Sequence, residues 1–178
     1  MSPELLRLIL EATLATLQVV ALAGGLGVVF GLPLGVFLAT SRRGELFAAP
    51  AVNAVLGVLV NITRSTPFII LVVAIVPFTR LIAGTSIGTA AAIVPLTVAA
   101  VPFIARIVEG AIREVDQGLI EAARAMGATP IQIVRKVLVP EALPAIILGL
   151  TLATVSLIGF SAMVGAVGGG GLAAAGAA

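Results

Sequence analysis

The side chains best placed to act on something else lie between Asp116 and Pro140, and their types specify shape and docking, not a reaction. Asp116 can cap a helix by accepting from a free backbone N–H. Leu119, Ala122, Ala123 and Met126 follow as an apolar stripe, with Glu121 and Arg124 on the other side. Gly127 suits the left-handed position after a helix C-terminus. Thr129-Pro130-Ile131-Gln132 reads as a capping box with Pro at the first helical position. Ile131, Val134 and Leu138 continue an apolar face, Arg135 and Lys136 complement the dipole of the last turn, and Pro140 opens the next span. The spacing predicts two short helices joined by a sharp turn. Such a hairpin either merely connects spans or docks a partner, whose side chains Ala122 and Ala123 would leave room for.

Other chemistry is excluded by residues the chain lacks. No G-x-x-x-x-G-K-[ST] phosphate loop exists, and the only lysine, Lys136, follows Arg135. The chain is not expected to be an enzyme, so any ATP used must be hydrolysed by another chain. Ser161, in Gly159-Phe160-Ser161-Ala162-Met163, lacks the second glycine of a nucleophile elbow. With no His and no Cys, Ser–His catalysis, a catalytic zinc site and disulfides are all ruled out. No metal or cofactor is expected. The net charge of +2 comes from scattered cations without interleaved aromatics, which argues against nucleic acid.

The elements that must carry this hairpin are membrane helices. Hydrophobic residues make up 60% of the chain and charged ones 10%, against roughly 25% charged in a soluble domain. Mean hydropathy is +1.26. The expected fold is an all-α integral membrane protein, one polytopic helical bundle bathed in lipid. Stretches poor in charge place spans near 13–39, 66–82, 87–107 and 141–163, with a loop over 108–140. The segment 48–63 either extends the second span or lies along the interface. Glu4 and Glu11 beside Arg7 argue against a cleaved signal peptide, despite Ala21-Leu22-Ala23.

Arg42, Arg43 and the cations of 108–140 put those two loops on the cytoplasmic side and the N-terminus outside. Gly27, Gly31 and Gly35 recur every fourth residue, either as a packing ridge or as the ordinary glycine enrichment of membrane helices. Ser65-Thr66-Pro67 reads as a helix start that would hold Arg64 at the membrane surface as an interface charge. The alternative buries Arg64 in the bilayer and marks it as functional.

Glu121-Ala122-Ala123-xxx-Gly127, nine residues, then Val137-Leu138-Val139-Pro140 resembles the EAA loop of binding-protein-dependent ABC importer permeases, with Val137 and Val139 as conservative departures. Longer stretches resemble the methionine importers of that family. They include Arg64-Ser65-Thr66-Pro67-Phe68-Ile69-Ile70, Ala92-Ile93-Val94-Pro95-Leu96-Thr97, Pro102-Phe103-Ile104-Ala105-Arg106 and Leu119 through Pro130. The likeness covers about 12–172. It implies a homodimeric permease of the bacterial inner membrane with two cytoplasmic ATPase subunits and an external binding protein that delivers methionine of either hand. It also implies that Glu121, Ala122, Ala123, Gly127, Thr129, Pro130 and Pro140 form the ATPase-coupling loop. The family has five spans where this sequence shows four. Its low-complexity Gly/Ala end, 168–178, is read as a truncation or a lost last span.

Two other classes remain open on the residues alone. A passive channel or ion-coupled carrier would usually place ionisable groups within its spans, and here Arg64 is the only candidate. A non-transporting fragment or scaffold would suit a missing span. Among permeases, another small amino acid or amine is the alternative substrate. No residue identifies a substrate site.

Overall fold

The computed structural model describes residues 3–165, so the Gly/Ala segment 168–178 lies outside the described residues. Every described element is helical. The order is α1 (Pro3–Thr40), α2 (Pro50–Ser65), α3 (Phe68–Ala74), α4 (Val76–Ala83), α5 (Thr89–Arg113), α6 (Gln117–Ala125), α7 (Pro130–Ile133), a π-helical turn (Val134–Leu138) and α8 (Val139–Val164). In lipid the backbone must satisfy its own hydrogen bonds, so helices are the expected solution for these sequences. Leu6–Thr40, Thr89–Arg113 and Pro130–Val164 are each long and apolar enough to cross a membrane. A fourth crossing results if α2 and α3, bent by 107° at their junction, count as one broken span.

α5 is the central column. Ala92, Leu96, Ala100, Ile104, Val108 and Ile112, each four residues from the next, are buried along one face. Against that face lies α1, and its glycines set the approach. A Cβ added at Gly27 would come 2.7 Å from Ala100 Cβ, one at Gly31 2.8 Å from the Val101 carbonyl oxygen, and one at Gly35 2.5 Å from the Ala105 carbonyl oxygen. Two of these obstacles are backbone, which cannot rotate away. On another side α8 presents Ala142, Ile146, Gly149, Ala153 and Leu157, and Gly149 sits so close that an added Cβ would overlap Ile107. The opposite side of α8 is exposed, including Leu148, Leu152 and Val155.

Three expectations about element boundaries are corrected. No single helix covers 66–82. Pro67 has no N–H to continue α2 and holds Thr66 extended at φ −80°, ψ 127°, so α2 stops and the chain turns. Pro67 is itself the N-cap of α3, and the Thr66 hydroxyl donates back to the Ile62 carbonyl at 2.9 Å instead of capping forward. Pro77 then forces a new start, so α3 and α4 are separate short helices meeting at Ile75.

Second, the loop expected over 108–140 is shorter, because α5 runs on to Arg113. Arg106 and Glu109 pair with each other inside the bundle and so do not end the helix. Third, α8 does begin at Val139 with Pro140 in its first turn, but no loop precedes it. Residues 130–164 are continuously helical, and the wide turn at Val134–Leu138, closed by Val139 N–H to the Val134 carbonyl, makes room for a proline that can neither donate to nor fit against the carbonyl four residues back.

The glycine contacts generate a direct test. Gly35→Ala should lower stability by about 1–3 kcal/mol, the usual cost of overpacking, whereas Gly25→Ala, on the same helix with nothing within 4 Å of the added Cβ, should be neutral or slightly stabilising. Thermal unfolding of the detergent-solubilised variants decides it; equal melting temperatures would show that α1 is not seated on α5 through this ridge.

Candidate functional site

The hairpin that follows α5 is built from local signals. Asp116 is the N-cap of α6, its carboxylate accepting from Gly118 N–H at 2.6 Å. α6 closes with two bonds typical of a left-handed glycine end, Ala128 N–H to the Ala123 carbonyl at 3.0 Å and Gly127 N–H to the Arg124 carbonyl at 2.9 Å. Gly127 has φ +78°. The next helix starts with both halves of a capping box. Thr129 N–H donates to Gln132 Oε1 at 2.8 Å and Gln132 N–H to the Thr129 hydroxyl at 3.4 Å, with Pro130 at the first helical position. The turn between the two helices is thus held by bonds from both of its ends.

The stripe expected on α6 faces two ways. Ile120 and Ala123 are buried, in the same core cluster as Ile133, Val134 and Leu138. Leu119, Ala122 and Met126 point outward instead; Met126 is 81% exposed and Leu119 43%. Ile131 joins them at 61% exposed, so the apolar face of the second helix is carried by Ile133 rather than Ile131. The inward residues follow the helical period from Ile120, and the outward set is one residue out of phase with it. Glu121, Arg124, Arg135 and Lys136 are also exposed and surround this apolar surface. Thr129, Pro130 and Pro140 are exposed as well. The hairpin therefore presents an apolar face with charged residues beside it, while its inner residues Ile120, Ala123, Ile133 and Val134 join the core cluster.

Directly behind the hairpin lies a charged cluster that sequence reasoning missed. Glu109 is 3% exposed. Its carboxylate accepts hydrogen bonds from Arg106 one turn earlier on α5 and from Arg42 Nη2 at 3.3 Å, just beyond α1, and forms an ion pair with Arg113 Nη2 at 3.4 Å one turn later. Arg106 Nη2 also donates to the Gly57 carbonyl of α2 at 2.9 Å. Asn53 of α2 closes the α1 terminus by donating to the Leu38 carbonyl at 2.8 Å and the Ser41 hydroxyl at 2.9 Å. Three helices are tied at one end. The i, i+3 and i, i+4 spacing of Arg106, Glu109 and Arg113 was a usable signal; Arg42, far away in sequence, was not.

Gly27, Gly31 and Gly35 lie against α5, as described, away from the hairpin face. Arg64 does not sit at a helix start. Its guanidinium lies 5.9 Å over the ring of Phe103, near the middle of α5. The hydroxyls of Thr151, Thr154 and Ser156 each donate to their own helix, to Ile147, Leu150 and Leu152 carbonyls. Thr97 differs, since its buried hydroxyl has no partner among the described residues.

The fold is a helical membrane bundle with an exposed two-helix element at one end, and the chain belongs to the family of binding-protein-dependent transport system inner membrane components, whose pattern it matches over residues 31–177. Within that family it is similar to the D-methionine transport system permease protein MetI of Escherichia coli K12, 53% identical over 93% of this chain and 76% of that protein. The probable D-methionine permease of Vibrio cholerae is 56% identical over 93% of this chain and 73% of its own length. Its fold matches the MetNI methionine ABC transporter in an inward-facing conformation, at TM-score 0.95 and 53% identity over 99% of this chain and 82% of that one. An amino acid ABC transporter solved with histidines shares the fold at TM-score 0.77 and 24% identity, over 94% of this chain and 75% of that one.

Removing Glu109 should expose what the cluster contributes. Glu109→Ala leaves three arginines without their shared partner, and the loss should fall near the lower end of the roughly 3–5 kcal/mol typical of a broken buried pair, because Arg42 and Arg113 are partly exposed and can hydrate. Arg42→Ala should cost below about 1 kcal/mol. Thermal unfolding in detergent measures both, and a Glu109→Ala variant as stable as Arg42→Ala would show the carboxylate to be dispensable.

Proposed function

We propose that this protein is the membrane-spanning permease subunit of an ATP-driven methionine importer, accepting either enantiomer. It works as a homodimer with two cytoplasmic ATPase subunits and an external binding protein. The observation that supports this most is the exposed hairpin face of Leu119, Ala122, Met126 and Ile131, found in a chain more than half identical to methionine permeases over nearly its whole length.

The charge distribution supports the orientation. Arg42, Arg43, Arg106, Arg113, Arg124, Arg135 and Lys136, seven of the ten Lys and Arg, belong to the hairpin end of the bundle, which supports a cytoplasmic hairpin end and an external N-terminus. Glu121, Ala122, Ala123, Gly127, Thr129, Pro130 and Pro140 then act as the coupling loop. Ala122 offers room on the docking face, Ala123 seats α6 on the bundle, and Gly127 and the Thr129 box fix the angle between the two helices. When ATP draws the ATPase subunits together, α6 moves with them. Its load passes through Ile120 and Ala123 to the core cluster beneath, and through the Glu109 cluster to α1 and α2. Gly27, Gly31 and Gly35 keep α1 and α5 together as one body during this motion, so access alternates by movement of whole helices.

Co-purification with an ATPase subunit tests the reading. Wild type should capture the ATPase, while Glu121→Arg and Gly127→Val should each reduce capture about tenfold or more. Gly127→Val acts through backbone strain alone, since nothing lies within 4 Å of an added Cβ and a left-handed residue costs about 1–2 kcal/mol without glycine. Undiminished capture by both variants would sink the coupling assignment.

A further inference from the structure

Where α2 breaks into α3, the bend opens a cavity of about 160 Å³ lined by Thr63, Arg64, Thr66, Phe68, Phe103 and Phe160, with Leu71 and Ala99 completing the wall. Its depth is set by α5. Phe103 lies about 21 Å from one end of that helix and about 15 Å from the other at 1.5 Å per residue, one turn before Arg106, so the cavity lies within the α5 span beside the charged hairpin end, and Arg64 is exposed there. A cation at that depth is costly unless something pairs with it. Arg64 has no hydrogen bond and no ion pair among the described residues, only the face of Phe103. The unpaired Arg43, Arg124, Arg135 and Lys136 are different, because they belong to the hairpin end, where water reaches them. No acid lines the cavity, and Glu109, on the same helix as Phe103, is held by three other arginines.

The rest of the lining has a matching polarity. Thr63 and Thr66 spend their hydroxyl protons on the Leu59 and Ile62 carbonyls, at 3.0 and 2.9 Å. Their oxygens are left as acceptors only. Opposite them, Phe68 and Phe160 stack with ring centroids 4.5 Å apart. Three of the seven phenylalanines thus meet in one cavity. Five guanidinium donors, two hydroxyl acceptors and an aromatic wall without a carboxylate suit one ligand class.

We propose that this cavity is the transport site, holding a zwitterionic amino acid with an apolar side chain. The carboxylate pairs with Arg64, the ammonium donates to the Thr63 and Thr66 oxygens, and the side chain lies against Phe68, Phe103 and Phe160. A thioether gains from such rings through sulfur–aromatic contact. Cationic side chains are rejected because no acid awaits them. At 160 Å³ the space is below the roughly 300 Å³ of sites for larger ligands, which limits it to a single amino acid. The proposal rests on the permease reading above and names the site that reading lacked.

The chain has no cysteine, so one introduced at Ala99 reports on the cavity alone. The test uses the full permease with its ATPase subunits, labelled by a membrane-permeant maleimide with and without methionine or methioninol, in which a hydroxymethyl group replaces the carboxylate. Methionine should slow labelling of Ala99→Cys severalfold and methioninol should not, and adding Arg64→Gln should abolish the protection. In proteoliposomes with the binding protein, Arg64→Gln should lose uptake about tenfold or more, the value of a charged hydrogen bond, while basal ATP hydrolysis by the assembled complex persists. Arg64→Lys should recover part of the uptake. Wild-type uptake with no protection at Ala99→Cys, or Arg64→Gln transporting like wild type, would overturn the site and leave the permease reading standing. An Arg64→Gln permease that no longer assembles would make Arg64 structural and also overturn the site. A wild-type complex that takes up no methionine would overturn both.

Discussion

Glu109 is a buried carboxylate surrounded by three guanidinium groups, and the arrangement of the hairpin end depends on keeping them together. Burying such a group is costly, and the cost is recovered only while its partners stay in place. Arg42 comes from the end of α1, Arg106 and Arg113 from α5, and Arg106 reaches across to the backbone of α2. The bundle end is therefore joined electrostatically as well as packed. What the cluster contributes is alignment more than raw stability, since apolar groups of the same shape could fill the space at least as cheaply. Alignment is what a transmitting element needs, because the hairpin can pass on a displacement only if the helices behind it do not yield separately.

The bundle divides into stiff and compliant parts. α1 and α5 approach so closely at Gly31 and Gly35 that backbone carbonyls face the glycines directly. Such contacts do not slide without clashing. The junctions at Thr66–Pro67 and Ile75, and the wide turn at Val134–Leu138, are the places where the regular hydrogen-bond ladder is interrupted. Each interruption sits beside a proline. Broken helices in membranes are tolerated where protein or a cavity surrounds the freed backbone groups, and the first of these junctions does border a cavity.

The sequence was most legible where structure is local. Asp116, Gly127 and the Thr129–Gln132 pair make caps within a few residues of themselves, so their roles could be read directly. Long uncharged runs marked α1, α5 and α8 because lipid penalises charge. The same rule failed at Arg106 and Glu109, which neutralise each other inside a helix and so mimic a loop boundary. It failed again over 66–82, where the uncharged run up to Thr79 looks like one span but Pro67 and Pro77 cut it into pieces. The outward phase of Leu119 and Met126 was illegible for a different reason. A stripe on a helix says that one side is apolar, and only the neighbouring helices decide whether that side turns inward. Arg64 combined both problems, since its setting depends on the bend after it and on Phe103, far along the chain.

The π-helical turn at Val134–Leu138 holds one more residue than an α-helical turn would need. Each residue advances a helix by about 100°, so this single extra residue sets the rotational phase between the hairpin and everything that follows. It is the reason Ile133 and Val134 can face the core beside α6 while Ala142, Ile146 and Gly149 still face α5. The turn acts as a phase adjuster, letting a docking surface and a membrane-facing helix evolve in one continuous rod without either dictating which way the other points.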